Sequence, residues 1–290
     1  METTTEETEE KTAIAVVDAT ASLAVTEDDW DYGDEYIEDV DPADINTPML
    51  TILQHNSPQV ADELGKPGDL WDTVAEEAIP ALQSKGAEGV LLVPVCHTRD
   101  YREWGPRDDG GGLEGVYTPE DPVVLTAKEK TPFGKIELDN GNSLVETVML
   151  YCLVVDNEYN YIGAAIVPFK STQLKVFKNF MTNVHSFRLP KNPKTGRRGK
   201  APLFAHCIRM QTVMQQKDAN RWFNFVITPA KDGENVKSAM KASLVSRRSE
   251  VFHAAVKLAE MQQRGEVKYD QNAGGEAASS SSEDSEDIPF

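Results

Sequence analysis

Between residues 168 and 248 the chain carries 17 lysines and arginines against three carboxylates, a local net charge of +14 in a protein whose overall net charge is −19. The cations concerned are Lys170, Lys175, Lys178, Arg188, Lys191, Lys194, Arg197, Arg198, Lys200, Arg209 and Arg221. Aromatic residues lie among them or in an earlier loop: Phe187, Trp222 and Tyr161 nearby, and Tyr101 and Trp104 beside Arg102 upstream. Cations that follow a phosphate backbone, together with flat rings on which bases stack, are what a sequence-tolerant single-strand binder needs. Each stacked base is worth about 1–3 kcal/mol. Crowding like charges costs self-repulsion unless a polyanion is at hand. The pattern therefore predicts single-stranded DNA as a partner, with these residues as its contacts.

Other chemistries find less support. There is no Gly-x-x-x-x-Gly-Lys-Ser/Thr phosphate loop and no Gly-x-Ser-x-Gly elbow. Asp69, Asp72, Glu76 and Glu77 form the one notable acidic cluster of the central region, and a solvated surface explains it. Cys96-His97 and His206-Cys207 hold the inventory of a zinc site. Neighbours on a strand, however, point to opposite faces, so both members of a pair rarely reach one ion. No enzyme activity, cofactor or metal is expected. The third cysteine, Cys152, makes an odd number without disulfide-framework spacing, which suits a reducing cytoplasm. No apolar run approaches the ~18 residues of a membrane span, and the acidic N-terminus lacks the basic start of a secretory signal.

The elements that would position these residues read as mostly strands. Order is expected to begin near Met49. Leu70-Trp71, Gly89–His97, Val123–Thr126, Ile136–Leu138, Leu144–Val155 and Tyr159–Val167 are strand candidates, the last two joined as a hairpin by Asp156-Asn157-Glu158. Glu76–Ser84 is ambiguous because Pro80 interrupts a helix there. Ser171–Val184 reads as an amphipathic helix, with Leu174, Phe177 and Met181 at helical spacing and lysines beside them. The stretch from Arg188 to Lys200 holds two prolines and two glycines, and is expected to be an irregular loop. Leu203–Met214 and Arg221–Ile227 form a second hairpin. Alternation along Arg221–Phe225 predicts Phe223 and Phe225 in the core and Trp222 exposed. A helical stretch in one or two pieces spans about Asn235 to Gln263. Strand-strand-strand-helix-strand-strand fits a β-rich α+β protein, an OB-fold-like small barrel with added helices. A generic α+β sandwich is the alternative.

The ends differ from the middle. Residues 1–47 hold 16 acids and one base, and residues 271–290 hold five acids and no base. Such segments lack the apolar surface to offset their ordering entropy. The expected layout is a disordered acidic arm over 1–47, a core over 48–264 and a flexible tail over 265–290. Trp30, Tyr32, Tyr36 and Ile37 in the arm are a short docking piece or simply solvated. The tail ends in Glu286-Asp287-Ile288-Pro289-Phe290, an apolar tip behind carboxylates that suits a pocket with a basic rim on another protein. These five residues resemble the Asp-Asp-Ile-Pro-Phe tip of bacterial single-stranded-DNA-binding proteins, with Glu286 in place of the first Asp. The layout of the whole chain looks like that of single-stranded-DNA-binding proteins of tailed bacteriophages, which share the acidic tail over divergent OB-fold cores.

What the resemblance implies is a protein that coats and protects unwound DNA in phage replication, recombination or repair. It would recruit partner enzymes through Glu286, Asp287, Ile288, Pro289 and Phe290. Such a protein works in the host cytoplasm, without a membrane, and is compatible with a homo-oligomer. Two other readings stay open: a strand-annealing protein using the same groove, and an interaction or decoy module that presents the tip without coating DNA. The charge balance also suggests that the acidic arms compete with DNA for the basic centre.

Overall fold

The most apolar run of the sequence becomes a strand buried on both faces. A computed structural model of the chain describes residues 46–106, 112–131, 136–189, 191 and 193–270. All of them fall in the second of two units, Pro42–Phe290; the first, with nearly all of the acidic arm, and the tail tip lie outside the described residues. The elements run β1 (Leu50–Ile52), α1 (Pro58–Ala61), β2 (Leu70–Asp72), β3 (Glu77–Ile79), β4 (Val90–Gly105), β5 (Gly112–Tyr117), α2 (Pro122–Lys130), β6 (Ile136–Glu137), β7 (Ser143–Val155), β8 (Tyr161–Lys170), α3 (Gln173–Ser186), β9 (Ile208–Lys217), β10 (Asn220–Pro229), α4 (Val236–Ala242) and α5 (Glu250–Gln263). This is an α+β arrangement of antiparallel sheets.

The main sheet is ordered β10-β9-β4-β7, with β8 and β6 on the far side of β7 and β5 beside the end of β4. Leu150 pairs with His97 on one side and Val167 on the other. One face of the sheet packs Leu92, Val148, Leu150, Val167, Phe169, Met210, Phe223 and Phe225 against β1, β2 and the Phe177–Phe180 face of α3. The opposite face packs Leu91, Val93, Val95, Leu153 and Val155 against Val251, Ala255 and Leu258 of α5. A strand covered on both faces is apolar without alternation, which is why Val148–Val155 is a continuous apolar run. Gly89, with φ 72°, starts β4 so close to β9 that a Cβ there would meet the Met210 carbonyl.

Pro94 lies inside the central strand, where it donates no ladder hydrogen bond. A register shift between Pro94 and Cys96 accommodates it, and the bulge leaves Val95 unpaired. Cys96 then packs on the α5 side, while the His97 ring lies 5.2 Å from that of Phe177 on the other. The two residues do point apart, as alternation requires.

One expected strand is a helix. Val123–Thr126 belongs to α2, although two of its residues are valines. Asp121 caps the helix by accepting from Val123 N at 2.9 Å, and Pro122 occupies its first turn. Cap and proline outweigh the modest strand preference of β-branched residues. Val124 and Ala127, one turn apart, pack on Tyr101 and Leu144.

The strands β4, β7, β8, β9 and β10 follow each other in OB order, with α3 between the third and fourth. The expected barrel does not close through its backbone: β8 and β10 share no ladder. β8 ends at Lys170; Ser171 follows with φ +50°, and the chain turns away into α3. β1 occupies the seam instead. Ile166 N donates to Pro48 O at 2.8 Å on the β8 side. On the β10 side the buried Gln54 side chain takes the place of a strand partner. Its Nε2 donates to Phe223 O at 3.0 Å and its Oε1 accepts from Phe223 N at 2.8 Å. Below this, the rings of Phe169 and Phe225 are 5.0 Å apart.

Candidate nucleic-acid interface

The exposed cations begin on α3. Its apolar side is seated in the core through Phe177 and Phe180, which leaves Lys175 and Lys178, one turn apart, in solvent. The helix ends at Phe187, which is buried edge-on against His206 with ring centres 5.5 Å apart. Phe187 is therefore an anchor of the core and not a stacking ring. Arg188 follows, and its Nη1 donates to the His185 and Phe187 carbonyls at 2.5 and 2.9 Å. It closes the helix C-terminus, where carbonyls lack partners and a cation is favourable.

The basic stretch is more regular than its prolines and glycines suggest. Leu189 N donates to Gly199 O at 3.0 Å, and Lys191 pairs with Arg198 in an antiparallel bridge. Gly196 turns the chain with φ 69°. Lys191, Lys194, Arg197, Arg198 and Lys200 are all exposed on this small ribbon. A ribbon holds its cations in a fixed spacing that an irregular loop would not.

β10 adds the aromatic component. Phe223 and Phe225 are buried and Trp222 lies on the other side of the strand, half-buried. Trp222 is held: its Nε1 donates to Gln215 Oε1 at 3.1 Å, and Asn224 Nδ2 donates to the same oxygen at 3.1 Å. Asn224 Nδ2 also reaches Thr172 Oγ1 at 3.4 Å, which ties β10 to the start of α3. Arg221 is exposed, its Nε 3.2 Å from Gln216 Oε1. The start of α3 is thus tied to β10 through Asn224, the ribbon follows the end of α3 in the chain, and each of the three carries exposed cations. The network that fixes Trp222, Gln215 and Asn224 with Thr172, was invisible in the sequence because it joins residues about 50 positions apart.

The earlier loop does not contribute as expected. Tyr101 is 2 % exposed and lies in the α2 cluster, with the Lys128 ammonium 4.2 Å from its ring centre. It cannot stack on a base. Arg102 is 3 % exposed. Its Nη2 donates to Tyr269 Oη at 3.3 Å and lies 3.7 Å from Met149 Sδ, so it holds the C-terminal segment down. The sequence pattern Arg-x-Tyr-Arg-x-Trp gave no sign that a segment 167 residues away would cover it. Trp104 is half-buried. Lys170, at the end of β8, is half-buried too, and burial, with the neighbouring Arg102 charge, pulls its pKa down to about 8. Arg209 lies on β9, half-buried, with its Nη1 on the Glu88 carbonyl at 2.9 Å.

OB barrels seat oligonucleotides on the face of their second and third strands. β7 and β8 hold those places here, and their outer residues Met149, Tyr151 and Ile166 are covered by Met49, Val267 and Tyr269. The covering segments are stitched to each other: Thr47 N donates to Lys268 O at 2.8 Å, and Asn46 pairs with Lys268. The described residues thus enter and leave the core side by side.

Burial pushes two of the thiols up, Cys96 to about 11 and Cys207 to about 12. Among the described residues no group of three His, Cys, Asp or Glu side chains is placed to hold a metal ion. No helix among them is long and apolar enough to cross a membrane.

No curated protein and no solved structure matches the chain. A family model described as Pam3 phage gp34-like protein matches residues 17–268, most of the chain, and the protein therefore belongs to this phage family.

Proposed function

We propose that the protein binds single-stranded DNA without strong sequence preference, coats and protects it during phage replication and recombination, and recruits partner enzymes through the tip Glu286–Phe290. The observation that supports this most is the set of exposed cations: Lys175 and Lys178 on α3, the ribbon Lys191–Lys200, and Arg221 beside Trp222. All of it is carried on five strands in OB order. Exposed cations spaced along a bridged loop can meet phosphates, and a tryptophan whose Nε1 is hydrogen-bonded to Gln215 is held in one orientation for stacking. The burial of Tyr101 and Phe187 removes two expected rings. Affinity then depends more on phosphates than on bases, and its salt dependence should be steep.

The test is fluorescence anisotropy with a labelled oligo-dT and a matched duplex over a salt series. Tight single-strand binding that weakens with salt, with a clearly weaker duplex, supports the reading. Equal affinity for both would mean a general polyanion surface without stacking. Absence of binding to either, including in a chain lacking residues 271–290, would overturn the coating function and leave the tip as a docking device.

A further inference from the structure

Arg209 and a cation not singled out by the sequence pattern, Lys231, line one groove. The groove measures about 410 Å³ and is bounded by Gln83, Gln211, Thr228 and the turn before α4. This lies within the ~300–1,000 Å³ usual for small-molecule sites, but its walls are polar rather than apolar. The Arg209 Nη1 donates to the Glu88 carbonyl at 2.9 Å. The Lys231 ammonium lies 4.7 Å from the centre of the Tyr159 ring, and its backbone N–H donates to Ser243 Oγ at 2.8 Å. Gln211 Nε2 is fixed on the Ala87 carbonyl at 2.6 Å. One carboxylate, Asp232, also lines the groove, so the two cations outnumber it.

An arginine and a lysine in the wall of one polar recess suit a tetrahedral oxyanion with several acceptors. We propose that this groove is a phosphate site. The shared chemistry is that of a strand's phosphodiester, a nucleotide's phosphate and inorganic phosphate. Only the first of these rests on the DNA-binding reading.

The full chain and its Arg209→Gln/Lys231→Gln variant are compared in two measurements. Calorimetry titrates inorganic phosphate and thymidine monophosphate. Anisotropy follows oligo-dT over a salt series. A melting curve checks the fold. If the double variant fails to fold, Lys231→Gln alone, at an exposed position, replaces it. The expected result is a loss of at least tenfold in small-anion affinity. The oligo-dT salt slope should also be shallower by about 1.4, since two lost contacts each account for about 0.7 on a single strand. A changed slope with no small-anion binding assigns the site to the strand. Small-anion binding that needs both cations, without strand binding, keeps the phosphate site while the coating function fails. Small-anion affinity and salt slope both unchanged in a folded variant would overturn the proposal.

Discussion

Gln54 closes the seam that the sheet leaves open, and its replacement tests how the fold is held. Both hydrogen bonds of its side chain go to Phe223, one to the N–H and one to the carbonyl, at 2.8 and 3.0 Å. Phe223 is 4 % exposed. Gln54→Ala leaves a donor and an acceptor buried without partners, each costing about 1–3 kcal/mol. The sum is about 3 kcal/mol if water relieves part of it. For an ordered core of this size that lowers Tm by about 6–12 °C. Gln54→Glu sharpens the test. The carboxylate still accepts from Phe223 N but faces the Phe223 carbonyl without a proton to share, so its folded-state pKa is raised. A raised acid pKa means stability that is present at low pH and lost as pH rises through that pKa. The Glu variant should approach the wild type near pH 4 and fall away by pH 7. Urea unfolding at both pH values measures this. If the alanine variant loses less than about 1 kcal/mol, or the Glu variant shows no pH dependence beyond that of the wild type, Gln54 is a passive neighbour and the seam is held by packing alone.

Three further outcomes are expected. Arg197→Gln/Arg198→Gln/Lys200→Gln removes three exposed cations of the ribbon. At about 0.7 per contact the oligo-dT salt slope should flatten by about 2, so the deficit against the wild type shrinks some 20-fold between 50 and 200 mM salt, as read by anisotropy. Removal of residues 271–290 should raise oligo-dT affinity at low salt and leave it unchanged at high salt, where a competing acidic tail is screened; equal affinity at low salt would exclude competition by the tail. Glu103 is held below the usual carboxylate range by the Tyr117 hydroxyl at 2.6 Å, with Asn140 and Asn142 adding to it. Its depressed pKa contributes stability above the unfolded carboxylate value, and this is lost as pH falls through the folded value. Urea midpoints should therefore drop on acidification below about pH 4.5, and E103Q, already missing the charge, should show a smaller drop.

The sequence by itself determined how charge is distributed along the chain and where most elements lie. The central hairpin β7–β8, the amphipathic α3, the second hairpin and a C-terminal helical stretch were all legible, because apolar periodicity is local. So was the concentration of cations, since charge balance needs no coordinates. That Phe223 and Phe225 lie opposite Trp222 followed from alternation; which of the two faces is core did not. What the tertiary structure decided concerns contacts between distant residues. Arg102 and Tyr101 look in sequence like an exposed basic-aromatic loop, but Tyr269 covers one and α2 the other. The valines of α2 look like a strand until Asp121 and Pro122 are seen to start a helix. Barrel closure also could not be read, since it depends on whether β8 and β10 meet, and a single glutamine between them took the hydrogen bonds that a ladder would have made. Local propensity and charge are written in neighbouring residues; exposure and closure are set by what long-range packing lays on top, and one chain-distant segment is enough to turn a surface cation into a buried clasp.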